Sequence, residues 1–280
     1  MPNSQDLTAT REPESQKSWW DLSEKVALVS GATGWFGPEI AYALANLGAT
    51  VFVTSRNSKK LALLSEKLNE QGLASVAIAC DLNNKEDVDS LIDNISTNQK
   101  RLDILVNNAH GLPQVTDGES PEILPFGLLS NLEAFWNLTS SSIPLLKTTA
   151  SKFRDASIIN IASMYGKVSP YPHIYEQTQA EPNPIFYGAT KASIIQMTKW
   201  LACNLGKFSI RVNSISPGAF PNDEVQSTNP DFVNALARQC PLGRIGKREE
   251  IAGAVSFLAG SGSTYITGSD VSVDGGWTAW

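Results

Sequence analysis

The feature that most constrains this chain is a regular alternation of short β-rich runs and helical stretches, which starts at Lys25 and continues to Val273. The runs 26–30, 50–54, 75–80, 103–107, 157–161, 211–216 and 270–273 read as strands. Several are near-continuously apolar, as parallel strands are when both of their faces are covered. Between them, 38–47, 59–71, 85–97, 125–149, 185–206 and 249–259 read as helices. Strand and helix in strict alternation build βαβ units with right-handed crossovers. The expected fold class is therefore α/β, a doubly wound parallel sheet of about seven strands with helices on both faces.

With 280 residues, 42% of them hydrophobic and 18% charged, the chain can fill one sizeable core. No linker or repeat divides it, so residues 21–280 are read as a single domain. A polar arm, 1–20, precedes it and is expected to be flexible; it has no signal-peptide core and ends on Trp19-Trp20, an apolar clasp onto the domain. A net charge of −6 argues against a general affinity for nucleic acid or an anionic membrane. No apolar run approaches the ~20 residues of a membrane helix. Cys80, Cys203 and Cys240 form no disulfide or metal-ligand pattern and read as reduced thiols of a cytoplasmic protein. With only His110 and His173, no histidine-rich metal site is expected.

The turn after the first strand reads Ser30-Gly31-Ala32-Thr33-Gly34-Trp35-Phe36-Gly37 and opens a helix. Glycines there let backbone approach a pyrophosphate, which then sits on the helix N-terminus, the Rossmann arrangement for a dinucleotide. At the end of the second strand an acid would hold the ribose 2′-hydroxyl of NAD, whereas an arginine accepts a 2′-phosphate. The residues there are Ser55, Arg56 and Asn57, with no acid, so NADP(H) is favoured over NAD(H). Asp81 and Leu82, ending the third strand, suit the adenine side; Asn108 and Ala109, ending the fourth, sit where the crevice of such a sheet opens.

Tyr187 and Lys191 stand four apart at the start of a helical run, on one face and one turn apart. An ammonium beside a phenol favours phenolate and lowers the phenol's pKa from its ordinary ~10, which makes Tyr187 a candidate general acid/base.

Together these residues resemble the short-chain dehydrogenase/reductase family over about 25–277. Asn107-Asn108-Ala109, Asn131, Ser163, the pair Tyr187 and Lys191, Pro217-Gly218 and Val273-Asp274-Gly275-Gly276 stand in the family's order. The resemblance implies interconversion of a ketone and a secondary alcohol. Tyr187 would exchange the proton, Ser163 would hold the reacting oxygen, Lys191 would grip the nicotinamide ribose and lower the tyrosine pKa, and Asn131 would order a relay water. Pro217, Gly218 and Phe220 would lie beside the cofactor, and a homo-oligomer, tetramer or dimer, would form through the two long helices flanking the site.

Four departures from the family stand out. The glycine turn has the Gly-x-x-Gly-x-x-Gly spacing of an epimerase-like branch, so a nucleotide-sugar epimerase or dehydratase is the alternative enzyme; a non-catalytic dinucleotide sensor is the alternative outside enzymes. The chain ends soon after its seventh strand, which favours the short branch. His110 replaces a glycine, and Asn222 stands where a threonine commonly binds the nicotinamide carboxamide. An insertion at about 166–185, rich in hydrogen-bonding side chains, precedes Tyr187 and suggests a sugar or sugar acid as substrate. His110, Met164, Tyr165, Tyr175 and Trp277 are the candidate substrate contacts, and 219–240 is the expected lid.

Overall fold

The structure, a computed structural model, describes residues 18–111 and 123–280, with side chains in the second segment from residue 127 onward. All but the last three residues of the expected arm lie outside them. Seven parallel strands form one sheet: β1 (Val26–Ser30), β2 (Thr50–Ser55), β3 (Ser75–Ala79), β4 (Ile104–Asn107), β5 (Ala156–Ile161), β6 (Ile210–Pro217) and β7 (Asp270–Val273). Their spatial order is β3-β2-β1-β4-β5-β6-β7. The direction of winding reverses between β1 and β4, so a crevice opens there beyond the strands' C-terminal ends.

The strands are apolar on both faces because both are covered. Val26 and Leu28 pack with α3 (Lys85–Gln99), α4 (Ile123–Phe153) and α6 (Ile185–Leu205). Their neighbours Ala27 and Val29 pack with α1 (Gly37–Asn46), α2 (Ser58–Glu70) and α9 (Arg248–Ala259). This odd-even split is the period-2 pleat carried through the middle of a three-layer domain. At the start of the described chain, the Trp20 ring lies 6.3 Å from Phe257 of α9, and the Trp19 carbonyl accepts from the Ser261 N–H.

Three helices lie in stretches expected as loops. The insertion contains α5 (Pro172–Thr178), and the lid segment folds into α7 (Asp223–Thr228) and α8 (Pro230–Gln239). Each has a readable start: Pro172 and Pro230 occupy first-turn positions, and Asn222 and Asn229 cap α7 and α8 with side-chain oxygens. A third apolar cluster, containing Ile174, Tyr175, Ala235, Leu236 and Trp277, joins these pieces to the end of the sheet.

A line of buried amides holds the middle of the sheet in register. The Asn107 Nδ2 donates to Thr139 Oγ1 at 3.0 Å and to Asn160 Oδ1 at 2.9 Å, and Asn160 Nδ2 donates to Thr198 Oγ1 at 2.8 Å. The line thus crosses from α4 through β4 and β5 to α6. Truncating its centre strands a buried donor, Asn107 Nδ2, on one side and a buried acceptor, Thr198 Oγ1, on the other. Asn160→Ala is expected to cost about 2–3 kcal/mol, read as a lower midpoint of urea unfolding with an unchanged slope. A cost below about 0.5 kcal/mol would mean that these bonds contribute nothing net.

Candidate active site

A cleft of about 870 Å³ opens at the β1/β4 switch point. It is lined by the glycine turn, by the ends of β2, β3, β4 and β5, by the start of α6 and by the segment after β6. The turn is stapled across the gap between β1 and β4. Asn108 Nδ2 donates to the Ser30 and Gly31 carbonyls at 3.1 and 3.0 Å, while Ser30 Oγ accepts from the Asn108 and Ala109 N–H groups.

The residues present fit a dinucleotide. Gly31 has φ +61°, and a Cβ there would lie 2.7 Å from Ala109 Cα, so this close backbone approach requires glycine. Phe36 at the N-cap of α1 gives no side-chain cap, so the helix N-terminus behind Thr33, Gly34 and Trp35 is open to an anion. Trp35 Nε1 and Ser55 Oγ are buried without a protein partner and face the same cleft. Arg56 is exposed at its rim, beside Asn57, whose side chain caps α2 by accepting from the Lys60 N–H. Asp81, Leu82, Asn108, Ala109, Pro217, Gly218 and Phe220 also line the cleft.

Two expected contacts fall elsewhere. A Cβ at Gly37 would overlap the Gly31 and Ala32 backbone, and Gly37 does not line the cleft; it serves close packing of helix on turn. Asn222 is exposed outside the cleft, and its Oδ1 accepts from the Val225 N–H at 2.8 Å, so it caps α7 and does not face a carboxamide.

Ser163, Tyr187 and Lys191 converge in the cleft. Ser163 stands two residues after β5, accepts from the Tyr165 N–H at 3.1 Å and acts on the Tyr187 phenol to lower its pKa. Between Tyr187 and Lys191, Gly188 lets α6 approach the Tyr165 carbonyl, to which a Cβ would come within 2.9 Å. Lys191 is 3% exposed; its ammonium donates to the Ile161 carbonyl at 2.9 Å and lies 5.7 Å from the centre of the Tyr187 ring. Asn131 also lines the cleft, but its amide is committed to backbone. Oδ1 accepts from the Gly111 N–H, and Nδ2 donates to the Gly111 and Gly127 carbonyls. The Asn131 amide is therefore a clasp that fixes the end of the β4 loop on α4.

The electrostatics correct a further expectation. Burial raises the Tyr187 pKa above its ordinary value, and the bond to Ser163 offsets this only in part. Burial also lowers Lys191, to about 8. In the protein alone, the desolvation of both groups outweighs their mutual attraction.

The substrate side differs from the sequence reading as well. Met164, Tyr165, Tyr175 and His110 line the cleft, the His110 ring edge-on to Tyr187 at 4.9 Å. Trp277 does not; it is buried in the third apolar cluster. Within the insertion, His173, Glu176, Gln177 and Glu181 are exposed, and only Tyr175 and Asn183 line the cleft. Most of the side chains that suggested a sugar or sugar acid thus lie outside the cleft. Sequence reading missed Val225, Phe232 and Leu236, which α7 and α8 bring to the cleft. The i, i+4 spacing of Phe232 and Leu236 was the signal available.

The lowered pKa of Lys191 fixes the sign of a stability effect. Its folded value, about 8, lies below the ordinary lysine value of 10.5. The unfolded chain therefore binds more protons between these values, and stability contributed by this group rises with pH across that window. Lys191→Met is expected to remove a rise on the order of 2 kcal/mol, measured as the difference between parent and variant urea midpoints at successive pH values. Parallel profiles would refute it.

Comparison with known proteins agrees with this architecture. A family model described as Enoyl-(Acyl carrier protein) reductase matches residues 31–278. A tropinone reductase homolog of Arabidopsis thaliana is 33% identical over 263 residues, covering 92% of this chain and 94% of the relative. The 3-oxoacyl-[acyl-carrier-protein] reductase FabG of Rickettsia bellii is 34% identical over 258 residues, covering 91% and 98%. Among solved structures, an RhlG/NADP complex from Pseudomonas aeruginosa superposes with a TM-score of 0.82 at 30% identity, covering 93% of this chain and 99% of that one. A gluconate 5-dehydrogenase from Burkholderia cenocepacia, in complex with NADP and tartrate, gives 0.80 at 26%, covering 93% and 98%. By these matches the chain belongs to the short-chain dehydrogenase/reductase family, oxidoreductases that act on CH–OH groups.

Proposed function

We propose that the protein is an NADP(H)-dependent oxidoreductase that interconverts a ketone and a secondary alcohol, with Tyr187 as general acid/base. The observation that carries this reading is the convergence of Ser163, Tyr187 and Lys191 beside a turn fit for a dinucleotide. The bound cofactor supplies or accepts the hydride. Tyr187 Oη gives its proton to the carbonyl oxygen in reduction, or takes one from the alcohol in oxidation. Ser163 Oγ holds that same oxygen. The raised pKa of Tyr187 keeps it protonated, as donation requires; in oxidation it gains anionic character beside the positive charge of the bound oxidised nicotinamide. Lys191 holds the nicotinamide ribose from its buried seat on Ile161, and Asn131 positions the loop that follows Asn108 and Ala109.

Ser55 and Arg56 support NADP(H) over NAD(H): a hydroxyl without a partner and a guanidinium stand where a 2′-phosphate would sit. The two solved relatives above are described with NADP. A homo-oligomer, tetramer or dimer, is supported by Leu129 and Trp136 on α4 and Ile185 and Trp200 on α6, all exposed on helices that pack together. A cytoplasmic location is supported by the three free cysteines.

Tyr187→Phe is expected to lower kcat by about 10²- to 10⁴-fold while NADPH still binds, by stopped-flow and fluorescence titration. Undiminished turnover would sink the assignment. Arg56→Ala is expected to weaken NADPH by about ten- to a hundred-fold and to leave NADH nearly unchanged. Tighter binding of NADH than of NADPH by the parent protein would reverse the cofactor choice.

A further inference from the structure

A chain of rings leads from Tyr187 into the far end of the cleft. The Tyr165 ring lies 6.5 Å from that of Tyr187, its hydroxyl meets the Tyr175 hydroxyl at 2.6 Å, and the Tyr175 ring lies 5.3 Å from Phe232. Met164, Val225, Phe232 and Leu236 make the surrounding wall apolar.

Two polar features in this wall lack protein partners. Tyr165 and Tyr175 are 8% and 6% exposed and bond only to each other through their hydroxyls. One of their two O–H protons is spent in that bond, so the other has no acceptor among the described residues. His110 Nε2 is likewise buried without a partner. A buried polar group left unpaired is costly, which marks both as groups awaiting a ligand.

Charge is scarce at this end. Among the described residues, Arg56, Asp81 and Lys191 are the charged ones that line the cleft. The first two stand at the ends of β2 and β3, and Lys191 is committed to the Ile161 carbonyl. Residues 112–126, outside the described side chains, contain no lysine or arginine. A carboxylate here would be desolvated against apolar walls without a cation to pair it. Burial raises the pKa of both phenols and lowers that of His110 to about 3, so donors and imidazole alike stay neutral.

We propose that this end of the cleft takes a ketone, or its secondary alcohol, with an apolar body and one neutral acceptor oxygen, as in an ester, ether or second carbonyl, that receives the free O–H of the Tyr165–Tyr175 pair. It rests on the reading that the reacting oxygen sits at Tyr187. The apolar body lies against Met164, Phe232 and Leu236. A sugar acid is disfavoured by its charge, and a free sugar by hydroxyls that would find too few partners in an apolar wall.

The test uses four ketone probes with the NADPH-loaded protein, both parent and Tyr187→Phe. They are a cyclohexanone ring bearing a methyl ester, the same ring bearing a free carboxylate, the same ring bearing only a methyl group, and a ketohexose. Binding is read by NADPH fluorescence and, separately, turnover by NADPH absorbance. The ester is expected to bind at least about ten-fold more tightly than the carboxylate or the ketohexose. Its advantage over the methyl ring is expected to be about three- to ten-fold and to vanish in the double variant Tyr165→Phe/Tyr175→Phe. Equal or tighter binding of the carboxylate or the ketohexose, no saturable binding of the ester, or an ester advantage that survives the double variant would overturn the proposal. The expected binding order without turnover would leave it standing and remove the oxidoreductase reading. Tyr187-dependent turnover that prefers the ketohexose would do the reverse.

Discussion

The bonds that Asn108 and Ser30 make across the gap between β1 and β4 hold the two halves of the cleft together. At that gap the winding of the sheet reverses, so the helices that follow β1 and β4 leave on opposite faces and no crossover covers the strand ends. One short side chain bonds the Gly31 carbonyl from one strand, and one hydroxyl takes two N–H groups from the other. Behind them, the Asn107–Asn160–Thr198 line fixes β4 to β5 and α6. The placement of Ser163 and Lys191 relative to the glycine turn is therefore inherited from buried amides that touch no ligand.

Desolvation governs the charge of the site. It raises Tyr187, Tyr165 and Tyr175 and lowers Lys191 and His110, so each of these groups is pushed toward its neutral form. A low-dielectric pocket of neutral groups amplifies whatever charge a ligand brings into it. Proximity to Lys191 alone would depress the tyrosine pKa, but the common burial of both groups outweighs it. Charge at the Tyr187 oxygen thus becomes conditional on what binds.

The strands and helices of the sheet were legible because their residues have one job, to be apolar on both faces at a regular spacing; β1 and β7 fall on the bounds read from sequence. The convergence of Ser163, Tyr187 and Lys191 was legible for a related reason, since each lies at or near the C-terminal end of a strand or the start of a helix whose place the alternation sets. What was not legible depends on which way a side chain turns. Glu176, Gln177 and Glu181 look like a polar pocket in sequence, yet α5 turns Glu176 and Gln177 outward and Tyr175 inward, and Glu181, beyond the helix, is exposed. Asn222 carries a suitable amide, but capping a helix consumes it. The Asn131 side chain, too, is held by backbone, at Gly111 and Gly127.

The insertion and the lid segment, separate in sequence, form one wall. Tyr175 of α5 packs on Phe232 of α8, and Asn229 Nδ2, at the start of α8, donates to the Thr178 carbonyl at the end of α5. The same Tyr175 bonds Tyr165, which follows Ser163 by two residues. A shift of α8 therefore cannot leave the phenol pair unaffected, and a ligand oxygen held by that pair would be felt by the segment that covers the cleft. The additional residues before Tyr187, whose polarity first suggested what the substrate is made of, contribute chiefly one ring and one hydroxyl. Their larger effect is to anchor α8, whose Phe232 and Leu236 line the same cleft as Ser163, Tyr187 and Lys191.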